Sequence, residues 1–218
     1  MADDMPKVKR TFYTMVVKRL LDIVLSGIAI VILSPLFLIM SILELIYHGS
    51  PIFYAQERPG LHGKIFKLYK FRSMTNEKDE NGELLPSEKR LTSFGRFIRR
   101  FSLDELPELF CIFTGRMSII GPRPLLVKYL PLYSKRHMMR HEARPGFACM
   151  SLKPIRTWTW NDQFENDIWY VENCSFLVDI KMIFAVAREA LAGAEYRVDD
   201  TRTEFNGDNL YSDAKENV

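Results

Sequence analysis

Cysteine is scarce in this 218-residue chain, and the three present, Cys111, Cys149 and Cys174, stand apart with no C-x-x-C spacing. That pattern excludes a disulfide framework and a cysteine-built zinc site, and it fits a reducing compartment. The loops of the common nucleotide-binding folds are missing as well. There is no Walker A loop, no G-x-G-x-x-G, no H-E-x-x-H, no G-x-S-x-G and no Asp-x-Asp pair of the kind many nucleotide-sugar glycosyltransferases use for metal. Internal repeats and low-complexity tracts are absent too. Neither sign of charge dominates: 30 basic residues face 27 acidic ones, for a net charge of +3, so composition does not demand a nucleic-acid partner. With 47% hydrophobic residues the chain can build one domain with a sizeable core, and it is short for two independent catalytic domains.

What the chain does have is one long apolar run. Residues 23–43, IVLSGIAIVILSPLFLIMSIL, carry no charge and at about 1.5 Å per residue just reach across a bilayer core of roughly 30 Å. The run is too long for the apolar part of a signal peptide and no cleavage pattern follows it, so it is expected to stay attached. Pro35 sits in its middle, directly after Ser34. Proline lacks an N–H and clashes with the carbonyl four residues back, here that of Val31, so the helix should break, with the Ser34 hydroxyl as a local partner for the freed carbonyl. Basic residues lie on both sides of the run: Lys7, Lys9, Arg10, Lys18 and Arg19 before it, and Arg58, Lys64, Lys67, Lys70 and Arg72 after it. A simple span should gather them on one side. The reading adopted is a re-entrant helix–break–helix hairpin with both flanks in the cytosol, Lys18 and Arg19 acting as membrane-surface anchors; a kinked single span is the alternative. This divides the chain into an N-terminal arm and hairpin (1–50), a folded domain on the cytosolic face (51–207) and a polar tail (208–218).

Beyond the hairpin the pattern shortens. Residues 52–74 carry turn signals at Pro59-Gly60 and Gly63 between alternating apolar pieces, which predicts a hairpin of two short strands. The polar stretch 76–90 reads as an exposed loop. From Leu91 to Phe101 the residues Leu91, Phe94, Phe97, Ile98 and Phe101 recur at helical spacing with Arg96, Arg99 and Arg100 among them, which predicts an amphipathic helix with a basic face, suited either to a membrane surface or to a core. The fold class is α+β: a mainly helical small domain with short strands, the membrane hairpin, and interfacial amphipathic helices.

The decapeptide FSLDELPELF, residues 101–110, places Asp104 and Glu105 just after the basic run. With Ser102 as helix cap and Glu105 reaching back, it reads as a capping box without chemistry. Pro107 then falls at the fifth helical position and clashes with the carbonyl of Leu103. With Asp104 as cap, Pro107 falls within the first turn, and the Asp104 carboxylate lies at the positive end of a helix near arginines, where it is ionised and a phosphate is welcome. An ionised aspartate beside a phosphate site can act as a nucleophile, and its neighbour Glu105 can hold a divalent metal or act as a base. Farther on, Arg123 stands between Pro122 and Pro124 on a stiff extended segment that presents its guanidinium at little ordering cost. Arg144 precedes Pro145-Gly146 in a less constrained setting. All three tryptophans, Trp158, Trp160 and Trp169, gather in TWTWNDQFENDIWY with Asp162, Glu165 and Asp167; they suit base stacking, an interfacial belt or plain core, and at least one is expected in the core.

These blocks together resemble the small monotopic phosphoglycosyl transferases of the bacterial sugar transferase family. The likeness runs from about Lys18 to Gly207. It rests on the broken apolar run with Ser34-Pro35, QERPGLHGKIFKLYKFRSM, FGRFIRRFSLDELPELF, GPRP, RPG, FENDIWYVENCSF and TEFNG. The resemblance implies a ping-pong transfer of a phosphosugar from a UDP-sugar to polyprenyl phosphate at the cytosolic face of the bacterial inner membrane, with UMP released. It implies Asp104 as nucleophile, Glu105 as its dyad partner, and Mg²⁺ between the dyad and the diphosphate. It assigns Arg123, with Arg99, Arg144 and Asp167, to substrate phosphate. Two departures stand out. Gly115-Arg116-Met117-Ser118 replaces the usual G-D-M-S, and FACMSLKPIRTW replaces the usual I-T-G-W-A-Q-V-N-G-R-N after RPG, which puts Lys153, Pro154 and Arg156 in a rewritten loop. A non-catalytic membrane-surface scaffold or regulator on the same fold is the alternative function; a nucleic-acid binder leaves the apolar run without a role.

Overall fold

A computed structural model describes residues 8–148, 159–192 and 203–211. Lys7, Cys149, Lys153, Pro154, Arg156, Trp158 and most of the 208–218 tail lie outside the described residues. A π-helical turn, Tyr13–Val17, leads into α1 (Lys18–Ile32) and α2 (Ser34–Tyr47). The antiparallel hairpin of β1 (Phe53–Pro59) and β2 (Ile65–Phe71) follows, then α3 (Ser87–Arg90), α4 (Ser93–Arg100) and α5 (Glu108–Phe113). β3 (Ser118–Ile120) pairs in parallel with β4 (Gly146–Ala148), and α6 (Lys135–Met138) lies between them in sequence. Two longer helices close the fold, α7 (Trp160–Asn173) and α8 (Phe176–Ala192). The class is α+β, with two small two-stranded sheets, as the sequence predicts.

The apolar run breaks where proline requires it. α1 and α2 meet at 63°, Pro35 sits in the first turn of α2, and the Ser34 hydroxyl donates to the Val31 carbonyl at 2.8 Å. That is the carbonyl the proline leaves without an amide partner. At 15 and 14 residues the two helices are each about 21–22 Å long, shorter than a bilayer core of roughly 30 Å. No single helix among the described residues is long and apolar enough to cross a membrane, whereas the bent pair together meets that length and composition. The outer faces of both helices are strongly apolar: Val31 and Ile32 are 72% and 69% exposed, Leu38 63% and Ile46 69%.

The anchors proposed for the hairpin's foot turn inward instead. Lys18 forms an ion pair with Asp179 of α8 at 2.6 Å, with only 14% of its side chain exposed. Arg19 donates from both guanidinium ends to the carbonyls of Ile112 and Phe113, each at 2.7 Å. The reason is local: the last carbonyls of α5 have no intrahelical partner, and a cation there satisfies them and the helix dipole together. Asp22, buried in α1, accepts from the Ile119 amide of β3 at 2.9 Å. Polar contacts from Lys18, Arg19 and Asp22, within the first two turns of α1, thus fasten it to α5, β3 and α8.

The predicted 52–74 hairpin forms in full register, Phe53 opposite Phe71 through Pro59 opposite Ile65. The 76–90 stretch is mostly exposed as expected, ending in the single turn α3. α4 begins at the Thr92 cap, whose hydroxyl accepts from the Gly95 amide at 2.8 Å. Its predicted apolar face splits. Ile98 is fully buried against Met40 and Phe71, with Phe94 packed on the same cluster, while Phe97 and Phe101 point outward, 52% and 58% exposed. Gly95 permits this docking: a Cβ there would lie 1.9 Å from the Ser73 carbonyl oxygen. Of the tryptophans, Trp160 is core, packed with Tyr129, Phe164 and Phe205, whereas Trp169 is 38% exposed.

Candidate active site

Asp104 and Glu105 lie in a 3-10 turn, Leu103–Glu105, entered through Ser102 in a left-handed conformation (φ 54°). Neither capping scheme survives. α5 starts only at Glu108, preceded by Pro107, and no side chain caps it; the proline's missing N–H falls where no helical bond is needed. The Asp104 carboxylate is therefore not consumed as a cap. It is half-buried, and its pKa is pushed upward by burial and then by the charge of Glu105, with Lys70 and Arg99 pulling it back. The expectation that surroundings simply favour the ionised form omitted this burial.

Lys70, at the end of β2, joins the carboxylates. Its Nζ donates to Glu105 Oε1 at 2.5 Å and lies 3.2 Å from Glu108 Oε1. Burial lowers the Lys70 pKa, but Glu105 and Glu108 outweigh it and hold the ammonium above its ordinary value. Glu108 is buried, 5% exposed; burial first, moderated by Lys70, lifts its pKa to about 7. Arg99, on α4, donates to the Ser73 hydroxyl at 2.7 Å and lies within electrostatic reach of Asp104. Arg123 lies within the same reach of Glu108. The structure thus gathers Asp104, Glu105, Arg99 and Arg123, and adds Lys70 and Glu108. Sequence reasoning missed both. Glu108 stands four residues from Asp104, one turn on, which is the signal that was available.

The segment bearing Arg123 is braced from two sides. Arg58 of β1, itself within electrostatic reach of Arg123, donates to the Pro124 carbonyl at 3.0 Å, and Arg140 donates to the Arg123 carbonyl at 2.7 Å. The Arg123 side chain is left exposed. Arg140 is held in turn by Asp167, with Nε and Nη2 on the same oxygen Oδ2 at 3.0 and 2.5 Å, while Gln163 donates to Oδ1 at 3.1 Å. Asp167 is 0% exposed. It sits where no substrate reaches, and it acts on the Arg123 segment through Arg140 rather than on phosphate. Arg144 is also placed apart from the dyad. Its Nε donates to the Gly115 carbonyl at 3.1 Å, beyond the far end of α5, and it faces a separate cavity. The turns of GPRP and RPG touch directly: a Cβ on Gly146 would lie 2.1 Å from the Gly121 amide nitrogen. Arg116, the departure from the usual acid, is exposed.

Among the described residues no group of three or more His, Cys, Asp or Glu side chains forms a metal cage. Two adjacent carboxylates of which Asp104 is half-open nonetheless match the donor set of Mg²⁺, which takes one or two protein carboxylates and completes its shell with water and substrate phosphate.

The sequence that builds this arrangement, a bent apolar helix pair beside a carboxylate dyad with cations near it, matches a known family. Residues 13–193 match the family described as bacterial sugar transferase, and the chain belongs to it. Among its relatives, an uncharacterized sugar transferase EpsL of Bacillus subtilis is 44% identical over 178 residues, covering 81% of this chain and 88% of that protein. A UDP-glucose:undecaprenyl-phosphate glucose-1-phosphate transferase of Klebsiella pneumoniae is 34% identical over 183 residues, 78% of this chain and 39% of that protein. A UDP-N-acetylgalactosamine-undecaprenyl-phosphate N-acetylgalactosaminephosphotransferase of Aeromonas hydrophila is 31% identical over 187 residues, 81% and 44% respectively. The chain spans about two fifths of the length of these last two.

Proposed function

We propose that the protein transfers a phosphosugar from a UDP-sugar to polyprenyl phosphate at the cytosolic face of the bacterial inner membrane. The observation that carries this reading is the set of Asp104, Lys70, Arg99 and Arg123 beside a bent apolar hairpin, in a chain whose relatives are named for that class of substrates.

In the first step an Asp104 carboxylate oxygen attacks the β-phosphorus of the UDP-sugar. The bond from that phosphorus to the bridging oxygen breaks, and UMP leaves with the electron pair. In the second step a phosphate oxygen of polyprenyl phosphate attacks the same phosphorus and the Asp104 carboxylate departs, regenerated. Two anions must meet in each step, so cations that offset their charge contribute most to the rate. Lys70 holds Glu105 and Glu108 in place and keeps one positive charge at the dyad; Arg99 and the braced Arg123 supply two more within electrostatic reach. Asp104 and Glu105 are the residues that would hold Mg²⁺, which would supply further charge neutralisation on the diphosphate. The hairpin enters one leaflet and returns, which brings the acceptor's head group and the dyad to one level.

The test is UMP release by purified protein given Mg²⁺, polyprenyl phosphate and a panel of UDP-sugars. Release with one donor, lost in Asp104→Asn, is expected. Release that survives Asp104→Asn overturns the nucleophile, and folded protein silent with every donor favours a scaffold role.

A further inference from the structure

A second cavity, of about 370 Å³, opens on the other side of α1 from the dyad, where the N-terminal arm crosses the foot of the hairpin. Lys9, Arg10, Lys18, His62 and Arg144 line it against only two acids, Asp22 and Glu142. None of these residues belongs to the dyad cluster. Most of the charges are already matched. Lys18 is paired with Asp179, Asp22 accepts from the Ile119 amide, and Glu142 lies 3.8 Å from Arg10 and 3.4 Å from His62. Two cations have no carboxylate partner among the described residues: Lys9, whose backbone is tied to Val171 at 3.2 Å, and Arg144, whose Nε alone is engaged, by the Gly115 carbonyl.

An independent observation lies on the same wall. Ser118 is 1% exposed, and its Oγ is buried with no hydrogen-bond partner among the described residues. Burying a hydroxyl without a partner is costly, and this one lines the cavity beside the two unmatched cations. Two cations and a spare hydroxyl donor are what a phosphate group takes up. Apart from Thr14, the rest of the wall is largely apolar, with Met15, Leu61 and Val171. It adjoins α1, whose outer face is the apolar surface described above.

We propose that this cavity is a second anion site that binds a phosphate group, either the head group of an anionic phospholipid or free phosphate, distinct from the donor and acceptor phosphates at Asp104. Lys9 and Arg144 neutralise the group, the Ser118 hydroxyl donates to it, and the N-terminal arm closes over it. A phospholipid seated there would fasten the arm to the leaflet that holds the hairpin.

The test uses the full chain in zwitterionic detergent and in nanodiscs. Inorganic phosphate binding is measured by equilibrium dialysis of wild type, Arg123→Ala, Ser118→Ala and the double variant Lys9→Ala/Arg144→Ala. Loss of a charge-assisted contact weakens a phosphate by about tenfold or more. One phosphate that persists in Arg123→Ala and weakens about tenfold in both cavity variants is the expected result. Ser118→Ala removes one oxygen and guards against misfolding of the double variant. Wild-type phosphate binding in both cavity variants overturns the proposal. Nanodiscs of phosphatidylcholine with and without phosphatidylglycerol identify the source: wild type displacing its phosphate only when phosphatidylglycerol is present assigns the site to lipid, and no displacement assigns it to free phosphate.

Discussion

Lys70 Nζ lies 2.5 Å from Glu105 Oε1 and binds this half of the dyad to the end of a β-hairpin. Glu108 shares the same ammonium at 3.2 Å. Two carboxyl groups therefore crowd one lysine, with Asp104 within its electrostatic reach, and the lysine sets how much negative charge the site can tolerate before a diphosphate arrives. Lys70→Ala is expected to leave the fold intact and lower kcat for UMP release by about 10²–10³-fold, the usual cost of losing one preorganised charge at a reacting centre. Lys70→Arg should restore part of it. Wild-type kcat in the alanine variant would remove Lys70 from the mechanism.

The buried Arg140–Asp167 pair predicts a different phenotype. Asp167→Ala strands a guanidinium that is 1% exposed, and breaking one side of such a pair costs about 3–5 kcal/mol. The melting temperature in detergent should fall sharply. Joint replacement, Arg140→Met with Asp167→Leu, should recover much of the stability while leaving the Arg123 carbonyl without its donor, so KM for the UDP-sugar stays raised. Equal stability losses in the single and double variants would refute the pairing argument.

The hairpin is tested at its break. Replacing Pro35 by leucine removes the clash with the Val31 carbonyl, and residues 18–47 as one helix extend about 45 Å, enough to span. In a cysteine-free background, single cysteines before Lys18 and after Tyr54 should resist external labelling in intact cells. In Pro35→Leu one of the two should become labelled. External labelling of either flank in the unaltered hairpin would sink the re-entrant arrangement.

Acid sensitivity follows from His141. Burial, and then the charge of Arg140, push its pKa down to about 4, below the ordinary value of about 6.5 that the unfolded chain shows. Between those two values the unfolded state takes up a proton that the folded state refuses. The contribution of His141 to stability is thus complete above about pH 6.5 and declines as the pH falls toward 4, by up to about 3 kcal/mol. His137 is shifted downward as well, chiefly by burial, and adds to the same slope. Glu108, held up at about 7, works in the opposite sense over much of this range, so the test is a difference: the stability of wild type relative to His141→Gln should fall as the pH drops from about 6.5 toward 4, and a difference that does not change with pH would assign acid sensitivity elsewhere.

Much of this was legible from local chemistry. The break at Ser34-Pro35, the 52–74 hairpin and the helical periodicity within 91–101 each depend on a few neighbouring residues, and periodicity and proline sterics suffice for them; the Thr92 cap that starts α4 was not read. Asp104, Glu105, Arg99 and Arg123, singled out through their motif blocks, are brought into one neighbourhood by the fold. What failed were the assignments that depend on distant partners. Lys18 and Arg19 look like lipid anchors until Asp179 and the end of α5 come into view, 161 and 93 residues away. Asp167 looks like a ligand until Arg140 occupies it. Lys70 sits in a strand whose alternation advertises only its pleat, and its role appears once the strand end meets the 103–105 turn.

The clasp of Arg19 on the last carbonyls of α5 has a mechanical consequence. α5 carries the dyad turn at one end and the first hairpin helix at the other, so it works as a short strut between anchor and nucleophile. In the proposed re-entrant arrangement the depth at which α1 floats then sets the height of Asp104 above the lipid. In that arrangement the clasp would act as a depth gauge, a thinner or thicker leaflet moving the carboxylate relative to the acceptor's phosphate without altering a contact inside the site.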